Sequence, residues 1–78
     1  MDYYSKYIIV LERGYKIPIL FGSLISHDTF LRNYSKTNIV SAGFFRIEKN
    51  KVITFGKSIT LDISSNENDN ILIENLLQ

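Results

Sequence analysis

The first apolar run of the chain, "YIIVL" from Tyr7 to Leu11, contains no charged position. In a strand Tyr7, Ile9 and Leu11 point one way and Ile8 and Val10 the other, so both faces are apolar. Such a strand is central in a sheet or lies at a subunit contact. A second run, Ile17 to Phe21, follows "ERGY", and a Gly in so short a connection reads as a hairpin turn. Pro18 removes a ladder donor and pushes the second strand towards a sheet edge.

The period then changes. In "GSLISHDTFLRNYS", His27, Phe30, Leu31 and Tyr34 fall at i, i+3, i+4 and i+7, one face of a helix with Ser23 or Ser26 as N-cap. "NIVSAGFFRIEKNKVITFGKSITLDI" reads as two strands around a turn at "EKNK", the second bulged or bent at Gly56. Beyond the bend Ile59, Leu61 and Ile63 alternate with Ser58, Thr60 and Asp62, which predicts a strand with one wet face. The closing "SSNENDNILIENLLQ" starts with serine caps and carries Glu67 and Asp69 where a helix dipole favours acids. Leu72, Ile73, Leu76 and Leu77 then recur at helical spacing. The predicted order is ββαββα, and the expected fold class is α+β: one domain over residues 1–78, an antiparallel sheet with helices packed on one face.

Within that scheme "IVSAGFF" stands out, because Ser41, Ala42 and Gly43 interrupt a bulky strand. Strict alternation puts Ile39, Ser41, Gly43, Phe45 and Ile47 on one face and Val40, Ala42, Phe44 and Arg46 on the other. Ser41 and Gly43 then form a shallow notch. Such a notch is filled by a closely packed helix, by another subunit or by a ligand. For a ligand, Arg46, Lys57 and Arg13 supply cations, Ser58 and Thr60 supply hydroxyls, and His27 supplies a hydrogen-bond donor.

Composition narrows the classes. A chain of 78 residues buries only about 60% of the surface its unfolded form exposes, so it benefits from a staple. There is no Cys and only one His, which excludes disulfides and a structural zinc site and leaves oligomerisation. A net charge of +1 with interspersed signs gives no basic stripe for nucleic acid. No apolar run reaches the length of a membrane span, and "MDYYSKYIIV" lacks the basic-then-apolar order of a signal peptide. The expectation is a cytoplasmic protein that does not engage membranes, and "NYS" at Asn33 to Ser35 is then no glycosylation site.

Catalytic motifs do not survive inspection. "GKS" at Gly56 to Ser58 shares its letters with the end of a phosphate-binding P-loop, but Lys51 stands where the first Gly is needed and strand pattern follows. Ser26, His27 and Asp28 have the residue types of a triad, yet neighbours on a helix project about 100° apart and cannot line up. His27 has no second member, so no enzyme and no cofactor are expected. The hydroxyls of Tyr3, Tyr4, Tyr15 and Tyr34 suit a protein interface or base stacking equally.

Taken in order, "PILFGSLISHD", "VSAGFFRI", "FGKSITLDISS" and "NENDNILI" resemble a family of small proteins carried by phages and prophages. The matching positions are Pro18, Phe21, His27, Val40 to Phe44, Gly56, Ser58, Leu61, Ser65 and Asp69. Gly22 replaces a family Pro, Thr60 a Ser, and Asn66 and Glu67 an Arg-Pro pair, which removes the cation that an anion site at the last helix would use. The resemblance implies a phage setting, in which tiny non-catalytic proteins counter host defence. The first expectation is therefore an oligomeric binding protein that sequesters a small nucleotide-like signal through His27, Ser41, Gly43, Arg46, Lys57, Ser58 and Thr60. The alternative is a protein–protein inhibitor or interaction module that binds a host defence protein.

Overall fold

The computed structural model describes residues 4–78. Strands β1 (Ser5–Glu12), β2 (Tyr15–Phe21), β3 (Ile39–Glu48) and β4 (Lys51–Phe55) form one antiparallel sheet in the order β2-β1-β3-β4. Two short strands, β5 (Lys57–Ser58) and β6 (Ile63–Ser64), pair separately, and one α-helix, α1 (Asp69–Leu77), closes the described chain.

Both hairpins of the main sheet turn on two residues in the left-handed region: Arg13 and Gly14 (φ 53° and 83°), and Lys49 and Asn50 (φ 49° and 66°). Positive φ at both central residues is the type I′ geometry, whose twist matches that of paired strands. Central β1 has both faces covered, and Tyr7, Ile8, Ile9 and Val10 are fully buried. Each such side chain is worth about 1.5–3 kcal/mol relative to exposure. Pro18 lies on the edge strand β2, as its missing donor requires.

The α+β arrangement with helices on one face is not what forms. The protein is mostly antiparallel sheet with a single C-terminal α-helix. The segment expected as the first helix is two short 3-10 turns, His27–Arg32 and Lys36–Asn38. With three residues per turn, i and i+3 eclipse, so His27 and Phe30 both face the sheet, whereas Leu31 rotates out and is exposed. Asn33 and Ser35, which compete for backbone partners, interrupt a helix already too short to be stable on its own.

The coverings lie on opposite faces. Ile73 of α1 packs on Tyr7, Ile9, Phe45 and Val52, while Leu61, Phe30 and Tyr34 pack on Ile8, Val10, Phe21, Ile39 and Ala42. Two further expectations are corrected. A register shift pairs Ile9 with Ser41 but Val10 with Ile39, so Val40 is the extra residue of a bulge and Ile39 joins the face opposite Ser41. The predicted strand is broken over residues 59–62 by a turn, and strand pairing resumes only at Ile63: Ser58 Oγ accepts the Leu61 N–H at 3.2 Å and Asp62 adopts φ 56°, leaving Ile59 in solvent and Leu61 in the core.

Candidate functional site

Gly43 shows what fills the notch. A Cβ built there would lie 2.7 Å from the Phe55 carbonyl oxygen, 3.2 Å from Ser65 Cβ and 3.4 Å from the Gly56 carbonyl oxygen. The small-residue strand therefore admits the chain's own backbone. Gly56 turns that backbone at φ 76°, and Ser65 ties it down by donating both its N–H (3.1 Å) and its hydroxyl (2.8 Å) to the Gly56 carbonyl.

Ser41 is consumed next door. Its hydroxyl donates to Asp69 Oδ1 at 3.0 Å, while Tyr7 Oη donates to Oδ2 at 2.5 Å and the Asn66 N–H to Oδ2 at 2.9 Å. The side chains of Tyr7, Ser41 and Asp69 are buried, so the first residue of α1 is bolted to the two central strands. The Tyr7 hydroxyl is pushed well above the ordinary phenol range, first by burial and then by the Asp69 carboxylate, with Ser65 and Thr54 opposing.

His27 is a tie point with one free nitrogen. Its Nε2–H donates to the Gly43 carbonyl at 2.8 Å, and its ring meets Phe21 and Phe44 edge-on at 5.4 and 5.5 Å. Nδ1 is then an acceptor, without a partner among the described residues. Burial lowers the His27 pKa; the Gly43 bond opposes the shift, and the nearby Lys6 charge adds to it.

Beside His27 lies a depression of about 230 Å³ lined by Lys6, Ser26, His27, Phe44, Lys57, Ile59 and Thr60. Lys6 Nζ donates to the Ile25 carbonyl at 2.9 Å and Lys57 Nζ pairs with Asp62 at 3.3 Å, so each ammonium keeps donors to spare. The Ser26 hydroxyl donates to Asp28 at 2.5 Å, and the hydroxyls of Thr60 and Ser58 share a 3.2 Å bond. Phe44 of the lining belongs to an aromatic group in which it stacks on Phe55 at 5.7 Å and meets Tyr4 edge-on at 5.3 Å.

Of the seven residues expected to form one site, His27, Lys57 and Thr60 line this depression, with Ser58 bonded beneath it. Ser41 and Gly43 belong to the interlocks. Arg46 lies over the Phe55 ring at 5.4 Å and pairs with Glu48 at 3.4 Å, outside the lining. Arg13 serves the β1–β2 turn, and Tyr3 lies outside the described residues. Sequence reading missed Lys6, whose only signal is that it shares the face of Ile8 in a strand, and it treated Ser26 and Phe44 as cap and core.

Among the described residues no cluster of His, Cys, Asp or Glu could hold a metal, and no helix is long and apolar enough to cross a membrane. Comparison with known proteins gives no match to any family, curated protein or solved structure.

Proposed function

We propose that the protein is a non-enzymatic binding module that captures a small nucleotide-like anion in the depression beside His27. The observation that carries this reading is that Lys6, Ser26, His27, Lys57 and Thr60 line one hollow together with Phe44 and Ile59. Ammonium groups and hydroxyls suit phosphate oxygens, the imidazole acceptor suits a sugar or amino donor, and Phe44 with Ile59 offers an apolar wall. The hollow lies below the usual 300–1,000 Å³ of small-molecule sites, so it matches part of a nucleotide better than a large cofactor. In the phage setting implied by the sequence resemblance, the module would withdraw a host defence signal by stoichiometric capture.

The test is a titration of the labelled protein with adenosine monophosphate, with inorganic phosphate as the anion control, followed by amide and side-chain shifts. Support is a saturable change centred on Lys6, Ser26, His27, Phe44, Lys57 and Thr60. A flat response to about 10 mM nucleotide, where even a binding free energy of about −3 kcal/mol registers, removes the reading.

A second reading is favoured by Leu24 and Ile59, which are 100% and 85% exposed on the two turns bordering the hollow. Apolar tips of this kind serve as anchors for a protein partner, here a host defence protein that the module would inhibit. Charging the tip that lies outside the lining, Leu24→Glu, weakens such binding and leaves nucleotide capture intact.

A further inference from the structure

The two edges of the main sheet are closed by different devices. A two-residue hairpin makes its closing pair hydrogen-bonded, and bonded and non-bonded pairs alternate from there. In β2 the pairs Glu12–Tyr15 and Val10–Ile17 are bonded, so position 18 points its backbone out of the sheet, and Pro18 has no N–H to offer there. In β4 the pairs Glu48–Lys51 and Arg46–Ile53 are bonded, so Val52 and Thr54 point outward. The outward Val52 N–H is taken by the carboxylate of Glu74 in α1, at 3.1 Å.

We propose that the outer edge of β4 is the surface through which a second copy of this chain pairs, with Glu74 holding the place of that strand in the monomer. A carboxylate oxygen on an edge N–H occupies the position of a strand carbonyl, and it is held by a side chain that can rotate away. An open trough of about 820 Å³ runs along this edge, lined by Glu48, Lys49, Lys51, Val52, Ile53, Asn70 and Glu74. Antiparallel pairing of two copies about Ile53 sets the Val52 N–H and carbonyl of each against Thr54 of the other, the register in which both outward pairs bond. Exposed Ile47 and Leu77 line an adjoining hollow with Val52 and Glu74, so apolar surface is buried beside the new ladder. The β2 edge cannot substitute, because Pro18 breaks its donor row at the centre.

Sedimentation velocity over a broad concentration series tests this with three proteins: wild type, Glu74→Ala, and Glu74→Ala with Ile53→Glu. In the monomer the carboxylate introduced by Ile53→Glu would face Arg46 across the β3–β4 pair, whereas in the dimer it would face its own copy. Expected are a dimer at least about tenfold tighter in Glu74→Ala than in wild type, and its loss in the double variant. Equal self-association of wild type and a folded Glu74→Ala overturns the proposal, as does a dimer that ignores Ile53→Glu. Should Glu74→Ala fail to fold, Ile53→Glu alone is read against wild type at high concentration: retention of a wild-type dimer overturns the proposal, and its loss supports it.

Discussion

Tyr7 and Asp69, separated by 62 residues in sequence, meet in a buried 2.5 Å hydrogen bond that fastens the start of α1 to the centre of the sheet. The carboxylate also receives Ser41 and the Asn66 N–H, so a single group satisfies three donors. Asp69→Ala strands buried hydroxyls and is expected to cost about 3 kcal/mol or more, since each orphaned group costs about 1–3 kcal/mol. Ser41→Ala removes one donor and leaves the others paired, for about 1 kcal/mol. Urea unfolding of both variants checks the order, and equal losses would show that the carboxylate is not the hub.

Tyr7 also sets an alkaline limit. Its folded-state pKa is raised above the ordinary value of 10.0, so the fold favours the neutral phenol. That contribution is complete below about pH 10 and is lost as pH climbs and the unfolded chain ionises first. Tyr7→Phe is expected to lower stability at neutral pH and to flatten the decline above pH 10. An unchanged slope in Tyr7→Phe would assign the decline to other groups.

His27 acts at the opposite end of the scale. Burial depresses its folded pKa below the ordinary 6.5, so the contribution is present above that value and is lost as pH falls towards the folded pKa. In this window the unfolded chain binds the extra proton, and stability falls by up to about 1.4 kcal/mol per pH unit. Unfolding at pH 7.5 and pH 5 for wild type and His27→Gln measures it. The variant is less stable at the higher pH and shows a smaller drop between the two.

The glycines make a paired prediction. At Gly43 an added methyl meets the Phe55 carbonyl at 2.7 Å, a backbone atom held by the Gly56 turn, so Gly43→Ala is expected to destabilise by about 1–3 kcal/mol. At Gly22 nothing lies within 4 Å, and Gly22→Ala is expected to be neutral or to stabilise by about 0.4–1 kcal/mol through the unfolded chain. Thermal melts that rank the two the other way would refute the packing role of Gly43.

These tie points explain how far the sequence could be read. The hairpins at Arg13–Gly14 and Lys49–Asn50, the central β1, the edge position of Pro18 and a C-terminal helix all rest on local pattern, and all form. The His27 segment failed because 3.6- and 3.0-residue periods share the i, i+3 pair and first part company at i+4, Leu31. The strand pattern failed over residues 59–62 because the Ser58 hydroxyl gives the backbone a turn in place of a ladder. The Ser41–Gly43 anomaly was visible, but its partners, Asp69, Phe55 and Ser65, are set by topology that no spacing reveals. Lys6 entered the candidate site in the same way, through the pairing of β1 with β3.

The position of the site is open to a direct contrast between two cations. Lys57 lines the hollow, where removing an ammonium-to-anion hydrogen bond is worth about 1.5–3 kcal/mol, so Lys57→Gln is expected to weaken nucleotide binding about 10- to 100-fold. Arg46, engaged with Glu48 and the Phe55 ring, lies outside the lining, and Arg46→Gln is expected to leave the affinity within about twofold. Lys6→Gln should follow Lys57→Gln, and the loss in each should shrink as salt screens the remaining field. Calorimetric titration of the three variants against one nucleotide makes the comparison. Were Arg46→Gln to be the damaging substitution, the ligand would sit on the Tyr4, Phe44 and Phe55 rings instead of beside His27, and the hollow would have to be reassigned as packing space beneath the turns.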